Sequence, residues 1–249
     1  MISKNQIKFV KQLETKKHRE REGLFVAEGP KVVGDLLAAG FEPHTIFATE
    51  EWDTPLTSRP TSLTIRITPD ELRRISFLQH PQQVLAIFRQ PSILLPLTSH
   101  PSPLTLALDG IQDPGNLGTI IRIADWFAIG TIVCSHDTVD AWSPKVVQAT
   151  MGSIARVSIV YTDLKEYLSR TTLPVCGTLL DGENIYTQEL PSEAIIVMGN
   201  EGNGISPAIR SMVSHRLLIP SFQSGAESLN VAVATAITCS EFRRRQTVF

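Results

Sequence analysis

Residues 104–134 read LTLALDGIQDPGNLGTIIRIADWFAIGTIVC, and this stretch decides the fold. It opens on a short apolar run, Leu104–Leu108, and closes on another, Thr131–Cys134. Between them lies a helical pattern over about Leu117–Phe127. Two apolar strands joined through a helix form the repeating unit of a parallel sheet covered on both faces.

The same alternation continues downstream. Further strands are predicted at Val157–Val160, Val175–Leu179, Ile195–Met198 and Leu217–Ile219, with helices at about Pro144–Met151, Leu164–Ser169, Pro207–Met212 and Leu229–Arg245. Upstream, residues 91–103 (PSILLPLTSHPSP) hold four prolines and no charge, which suits a linker. Before it stands a smaller α/β pattern. One helix is predicted from Asn5 to about Glu22, others from Pro30 and Pro69, and strands at Leu24–Val26, Thr45–Ala48, Leu63–Ile67 and Gln83–Phe88. The expected division is 1–90, a linker at 91–103, and 104–249.

The chain has 249 residues, a net charge of -2 and 42% hydrophobic residues, which excludes disorder and a basic nucleic-acid coat. Positive charge is local: residues 1–22 carry seven Lys or Arg against three Glu. If RNA binds, Lys4, Lys11, Lys16, Lys17, Arg19 and Arg21 are the expected phosphate contacts; a solvated amphipathic helix explains the same run. Three cysteines without CxxC spacing point to reduced thiols, and scattered histidines to no metal site. Met1–Gln6 lacks the apolar core of a signal peptide, and no apolar run reaches a bilayer's width, so a cytoplasmic protein is expected.

In a parallel α/β sheet, ligands bind beyond the carboxyl ends of the strands. Three such ends carry unusual residues. Asp109–Gly118 makes a glycine- and proline-rich turn onto a helix, whose amides are expected to receive an anion. Arg122 follows one turn later and suits a phosphate, although a solvated helix face fits its spacing equally well. Gly199–Gly204 reads GNEGNG, an order that matches neither a dinucleotide fingerprint nor a P-loop. Glu201 in it can accept a ligand donor or complement a helix dipole. Ile219–Pro220 leads to Glu227-Ser228-Leu229-Asn230, where Ser228 is the expected helix N-cap and the Asn230 amide can bind backbone or ligand.

Together DPGNLGTIIRIAD (113–125), IVMGNEGNGIS (196–206) and IPSFQSGAESLNVAVATAI (219–237) resemble the three motifs of the SpoU/TrmH family of SPOUT methyltransferases. The first domain, with Phe25-Val26-Ala27-Glu28-Gly29, is similar to the substrate-binding domain fused ahead of it in the family's ribosomal-RNA branch. The resemblance implies a C-terminal trefoil knot, a homodimer, and S-adenosylmethionine held by Leu179, Gly199, Asn200, Gly204, Leu218, Ile219, Leu229 and Asn230. It implies catalytic roles for Asn116, Arg122, Glu201 and Ser228, and the sequence itself leads to the expectation of no metal and no membrane. The implied reaction is methyl transfer to a ribose 2′-hydroxyl of structured RNA, foremost ribosomal RNA. Rival readings are a non-catalytic RNA-binding relative, or a transfer-RNA or base methyltransferase. Departures from the family pattern are the loop glycine at Gly225, Gln148 and Thr150 in place of frequent Arg and Ser, and Ser240 before Glu241.

Overall fold

Prolines at the first helical turn and glycines or extended caps before them set most helix starts in this chain. The computed structural model describes residues 2–52, 63–91, 102–223 and 228–246. Gly225, Glu227 and most of the expected linker lie outside the described residues.

In chain order the elements begin α1 (Lys4–Gln12), α2 (Lys16–Glu22), β1 (Leu24–Glu28), α3 (Pro30–Ala38), β2 (Pro43–Ala48), β3 (Thr64–Arg66), α4 (Pro69–Ile75) and β4 (Val84–Arg89). They continue with β5 (Leu104–Asp109), α5 (Pro114–Trp126), β6 (Thr131–Cys134), α6 (Pro144–Ala149), β7 (Ser158–Tyr161) and α7 (Leu164–Ser169). The last are β8 (Val175–Asn184), β9 (Ala194–Gly199), α8 (Pro207–Arg210), β10 (His215–Leu218) and α9 (Val231–Gln246).

The chain folds as two compact units. The first holds Met1–Ile93 and takes in Asp140–Ala155; the second holds Leu94–Val139 and Arg156–Phe249. The segment Asp140–Ala155, which carries α6, leaves the sequence between β6 and β7 and builds part of the first unit's core. Trp142 lies 4.7 Å from Phe25, ring centroid to ring centroid. Gly152, at φ +96°, stands so close to Asp35 that a β-carbon there would meet its carboxylate at 2.2 Å.

The first unit is built on a four-stranded sheet ordered β1-β4-β2-β3, antiparallel except where β2 meets β3. Its core includes Val10, Leu13, Val26, Phe47, Leu72, Ile75, Leu85 and Ile87. The single helix expected over residues 5–22 is broken. α1 ends at Gln12 and α2 starts at Lys16, and the carbonyls of Leu13 and Glu14 freed by the break accept from the Arg19 guanidinium at 2.9 and 2.6 Å.

The second unit is a six-stranded sheet ordered β10-β8-β9-β5-β6-β7, parallel throughout. All six strands predicted there are present. β5 and β9 at its centre are almost wholly buried, as apolar strands between two helical layers must be. One strand departs from expectation. β8 runs on to Asn184, but its pairing with β10 jumps from Gly177 to Glu183, so Thr178–Gly182 bulge out of the ladder.

Candidate active site

Strands β10, β8, β9 and β5 are neighbours and parallel, so their carboxyl ends lie along one edge of the second unit's sheet. This edge carries the loops that the sequence singled out.

The loop after β5 turns at Gly110, whose φ of +74° favours glycine. Ser135 accepts the Gly110 amide at 2.8 Å and is itself tied to Asp137 at 2.5 Å. Asp113 then caps α5: its side chain accepts the Asn116 amide at 2.8 Å, and Pro114 occupies the first helical position. Asp-Pro ahead of an apolar helix is itself a cap signal, and the sequence reading passed over it.

The loop after β9 closes on itself. The amides and carbonyls of Asn200 and Gly204 pair in both directions at 2.9 Å. A β-carbon on Gly199 would lie 2.2 Å from the Gly204 backbone, so only glycine fits there. Asn200 staples the loop. Its Oδ1 accepts the amides of Gly202 (2.9 Å) and Asn203 (3.0 Å), and its Nδ2 donates to the Gly110 carbonyl at 2.7 Å. Buried Asp109 adds a second tie by accepting the Ser206 amide at 2.7 Å.

Glu201 projects from this loop to the start of α5. It accepts the Gln112 and Asp113 amides at 3.4 and 3.3 Å and the Asn116 side-chain amide at 3.0 Å. This corrects the expectation that free amides at the α5 N-terminus await an anion: carboxylates of the chain itself, Asp113 and Glu201, already answer them.

Asn230 completes the arrangement. Its Nδ2 donates to Asn116 Oδ1 at 2.9 Å, while its Oδ1 accepts the amides of Ala232 (2.9 Å) and Val233 (3.3 Å). Asn230, not Ser228, therefore caps α9. The helix begins at Val231, which leaves Ser228 two residues too early, exposed and without a hydrogen bond to any described residue. An amide can cap with its oxygen and still donate with its nitrogen, which serine cannot do so fully. A directional chain Asn230→Asn116→Glu201 thus joins the three motifs.

Arg122 stands apart from this chain. It is exposed and makes no hydrogen bond or ion pair with a described residue. With Thr119 and Trp126, the latter 85% exposed, it forms the open face of α5, whose opposite face buries Leu117, Ile120, Ile121 and Ala124.

Among the residues expected to hold cofactor, Leu179 lies in the β8 bulge and Gly199, Asn200 and Gly204 in the closed loop. Leu218 and Ile219, at the end of β10, are half-buried, and Leu229 is exposed. Large apolar surface is bare at the same edge, with Leu180 at 75% and Phe222 at 96% exposure. Among the described residues no group of His, Cys, Asp or Glu is placed to hold a metal ion. The three cysteines are buried, and burial pushes the thiols of Cys176 and Cys239 up to about 12, so they stay neutral.

In the first unit, Lys4, Lys16, Lys17 and Arg21 are exposed as expected. Arg19 is not. It is 2% exposed, and besides the two carbonyls it pairs with Asp140 through Nε (3.0 Å) and Nη2 (2.5 Å). It is a structural fastener rather than a phosphate contact. Lys11 is half-buried and donates to the Ser76 carbonyl. A charge run read along a helix does not reveal which members turn inward.

The family model for SpoU rRNA methylases matches residues 103–240. The chain belongs to the SpoU rRNA methylase family. The model of the MRM3-like substrate binding domain matches residues 4–86. Along its length the chain is similar to the Bacillus subtilis 23S rRNA (guanosine(2553)-2′-O)-methyltransferase RlmP, at 32% identity over 97% of both chains. Among solved structures, a TrmH-family protein of Porphyromonas gingivalis superposes with a TM-score of 0.89 at 41% identity, covering 98% of this chain and 99% of that one. The AdoMet-bound rRNA methyltransferase of Sinorhizobium meliloti superposes with a TM-score of 0.86 at 30% identity, covering 99% and 98%. The edge offers bare apolar side chains beside glycine-bordered peptide groups, which is chemistry that suits a purine and its polar edge.

Proposed function

We propose that this protein transfers a methyl group from S-adenosylmethionine to a ribose 2′-hydroxyl of ribosomal RNA. The observation that carries the reading is the Asn230→Asn116→Glu201 chain, which fastens the three family motifs at one sheet edge. Residues 103–240 form the methyltransferase domain and residues 4–86 the RNA-binding domain in this reading.

Bound S-adenosylmethionine supplies an already activated methyl group on a sulfonium, so transfer needs alignment and removal of one proton. The closed loop Gly199–Gly204, the bulge at Leu179, and Leu218, Ile219, Leu229 and Asn230 would hold the cofactor. Bare Leu180 and Phe222 supply apolar walls. Asn200 and Asp109 keep the loop rigid before anything binds, which lowers the cost of ordering it later. Asn116 and Glu201 hold the α5 start against the loop, and Asn230 locks α9 to both.

The Arg122 fork of donors, which meets no partner among the described residues, suits a phosphate next to the target ribose; gripping it fixes the hydroxyl in line for attack. Exposed Ser228 positions that hydroxyl and passes its proton to solvent. The 2′-hydroxyl is also what separates RNA from DNA. A homodimer is part of the same proposal. The open α5 face sets Arg122 four residues from an 85% exposed Trp126, and Val233 on α9 is 49% exposed. A partner covering this surface would bring its own Arg122 to the site. The knotted C-terminus implied by the family and the cytoplasmic location expected from the sequence belong to this proposal as well.

The test is single-turnover methylation by Arg122→Ala. Turnover is expected to fall by roughly a hundredfold or more, the scale of a lost transition-state contact, with unchanged cofactor affinity and thermal stability. Wild-type turnover would remove Arg122 from the mechanism.

A further inference from the structure

The loop between α4 and β4, Ser76 to Gln83, is held from beneath by a costly device. Glu28, at the end of β1, is buried, yet its carboxylate is spent on this one loop. It accepts the Phe77 amide at 2.8 Å and the Ser76 hydroxyl, and the Leu78 amide donates to that hydroxyl's oxygen at 2.9 Å. Lys11 donates to the Ser76 carbonyl and lies 4.7 Å from the centre of the Phe77 ring. Burial pushes the Glu28 carboxyl up, against the pull of the Ser76 and Phe77 hydrogen bonds and the Lys11 charge. At the other end Gln83 takes a φ of +54°, rare for a residue with a side chain, while its carbonyl accepts the Thr49 amide at 2.8 Å.

The exposed side chains on this rigid base are polar and carry no permanent charge, beside half-buried Phe77, Leu78 and Pro81. Gln79, His80 and Gln82 are exposed, and among the described residues no side-chain hydrogen bond holds any of them; only the Gln82 backbone carbonyl is used, accepting the Val84 amide. From Ile75 to Phe88 there is no Asp, Glu, Lys or Arg. A phosphate-gripping loop would carry arginine or lysine, and a protein-docking loop would carry exposed aromatic or apolar anchors. A carboxamide instead offers a donor and an acceptor side by side, which match the paired donor and acceptor on a base edge. In RNA such edges are open to side chains where nucleotides are unpaired. Arg74, exposed and without a partner among the described residues, stands at the loop's border, where it can hold a neighbouring phosphate.

We infer that Gln79, His80 and Gln82 form a base-reading loop through which the first unit recognises unpaired nucleotides of its RNA. The inference rests on RNA being the substrate, as proposed above. Its test is filter binding of an unmodified 23S ribosomal RNA transcript over a range of salt concentrations, using the full chain and the variant Gln79→Ala/His80→Ala/Gln82→Ala. The dissociation constant is expected to rise roughly tenfold or more, the loss of one or more good hydrogen-bonded pairs. The slope of log affinity against log salt stays unchanged, because no phosphate contact is lost. Arg74→Ala, by contrast, flattens that slope. Cofactor affinity of the triple variant stays at the wild-type value. A triple variant that binds within about twofold of wild type, or that loses affinity together with salt slope, overturns the base-reading role while leaving the RNA reading intact. A wild-type protein that fails to bind the transcript overturns both.

Discussion

Asn230 shows how much one side chain can be asked to do at this site. Its oxygen caps α9 and its nitrogen reaches Asn116, so alanine would remove both at once. Asn230→Asp separates them. The aspartate oxygen still caps, but the carboxylate has no proton to donate and brings a second negative charge towards Glu201. Thermal stability is expected to stay near wild type while the dissociation constant for S-adenosylmethionine rises about five- to a hundredfold, measured by calorimetry. Unchanged affinity would make Asn230 a cap alone. Arg19 is the opposite case, a charge that reads as surface and lies buried. Removing it leaves Asp140 unpaired and two carbonyls unanswered, so Arg19→Ala should destabilise the fold by about 3–5 kcal/mol in chemical denaturation. Lys17→Ala, an exposed neighbour, should change stability by within about 0.5 kcal/mol. Equal effects would contradict the buried assignment. Both residues mark a limit of sequence reading. Residue type shows that Asn230 and Arg19 can form polar contacts, but the partner lies more than a hundred positions away in each case and only the fold brings it near.

The elements themselves were largely legible, because they rest on local signals. Short apolar runs between helix patterns located all six strands of the second unit, and prolines marked the starts of α3, α4, α6 and α8. Two features escaped. The α1–α2 break depends on a guanidinium that answers freed carbonyls, and the β8 bulge depends on its neighbour β10; neither leaves a mark in periodicity. The α5 helix is the element whose two faces matter most. One packs into the unit, and the other displays Thr119, Arg122 and Trp126. A bare tryptophan at the end of an open helix face is what a two-fold interface would cover. Trp126→Arg should convert a dimer into the 27.4 kDa monomer in light scattering and reduce turnover with it. A wild-type protein already monomeric at micromolar concentration would dismiss the dimer and the shared role of Arg122.

At the scale of the whole molecule, the chain joins a parallel-sheet methyltransferase unit to a smaller mixed-sheet unit, and it crosses between them more often than a simple linker requires. The sequence suggested a boundary near residue 91, but Asp140–Ala155 belongs with the first unit. That segment carries a helix pattern like those around it, so only its partners, Phe25 and Arg19 among them, reveal where it packs. The chemistry was readable for a different reason: three short motifs occur in order at strand ends, where a parallel sheet must present its ligands. What they could not disclose is that Asn230 bonds to Asn116 and Asn116 to Glu201, which makes the three a frame that ties the motifs together. The central claim is that this frame serves methylation of a ribose. The most direct measurement incubates the purified protein with methyl-labelled S-adenosylmethionine and unmodified 23S ribosomal RNA, digests the RNA to nucleosides, and locates the label by mass spectrometry. The account predicts one 2′-O-methylated nucleoside, absent with Arg122→Ala. Label on a base, or no label from a folded protein that binds S-adenosylmethionine, would contradict it.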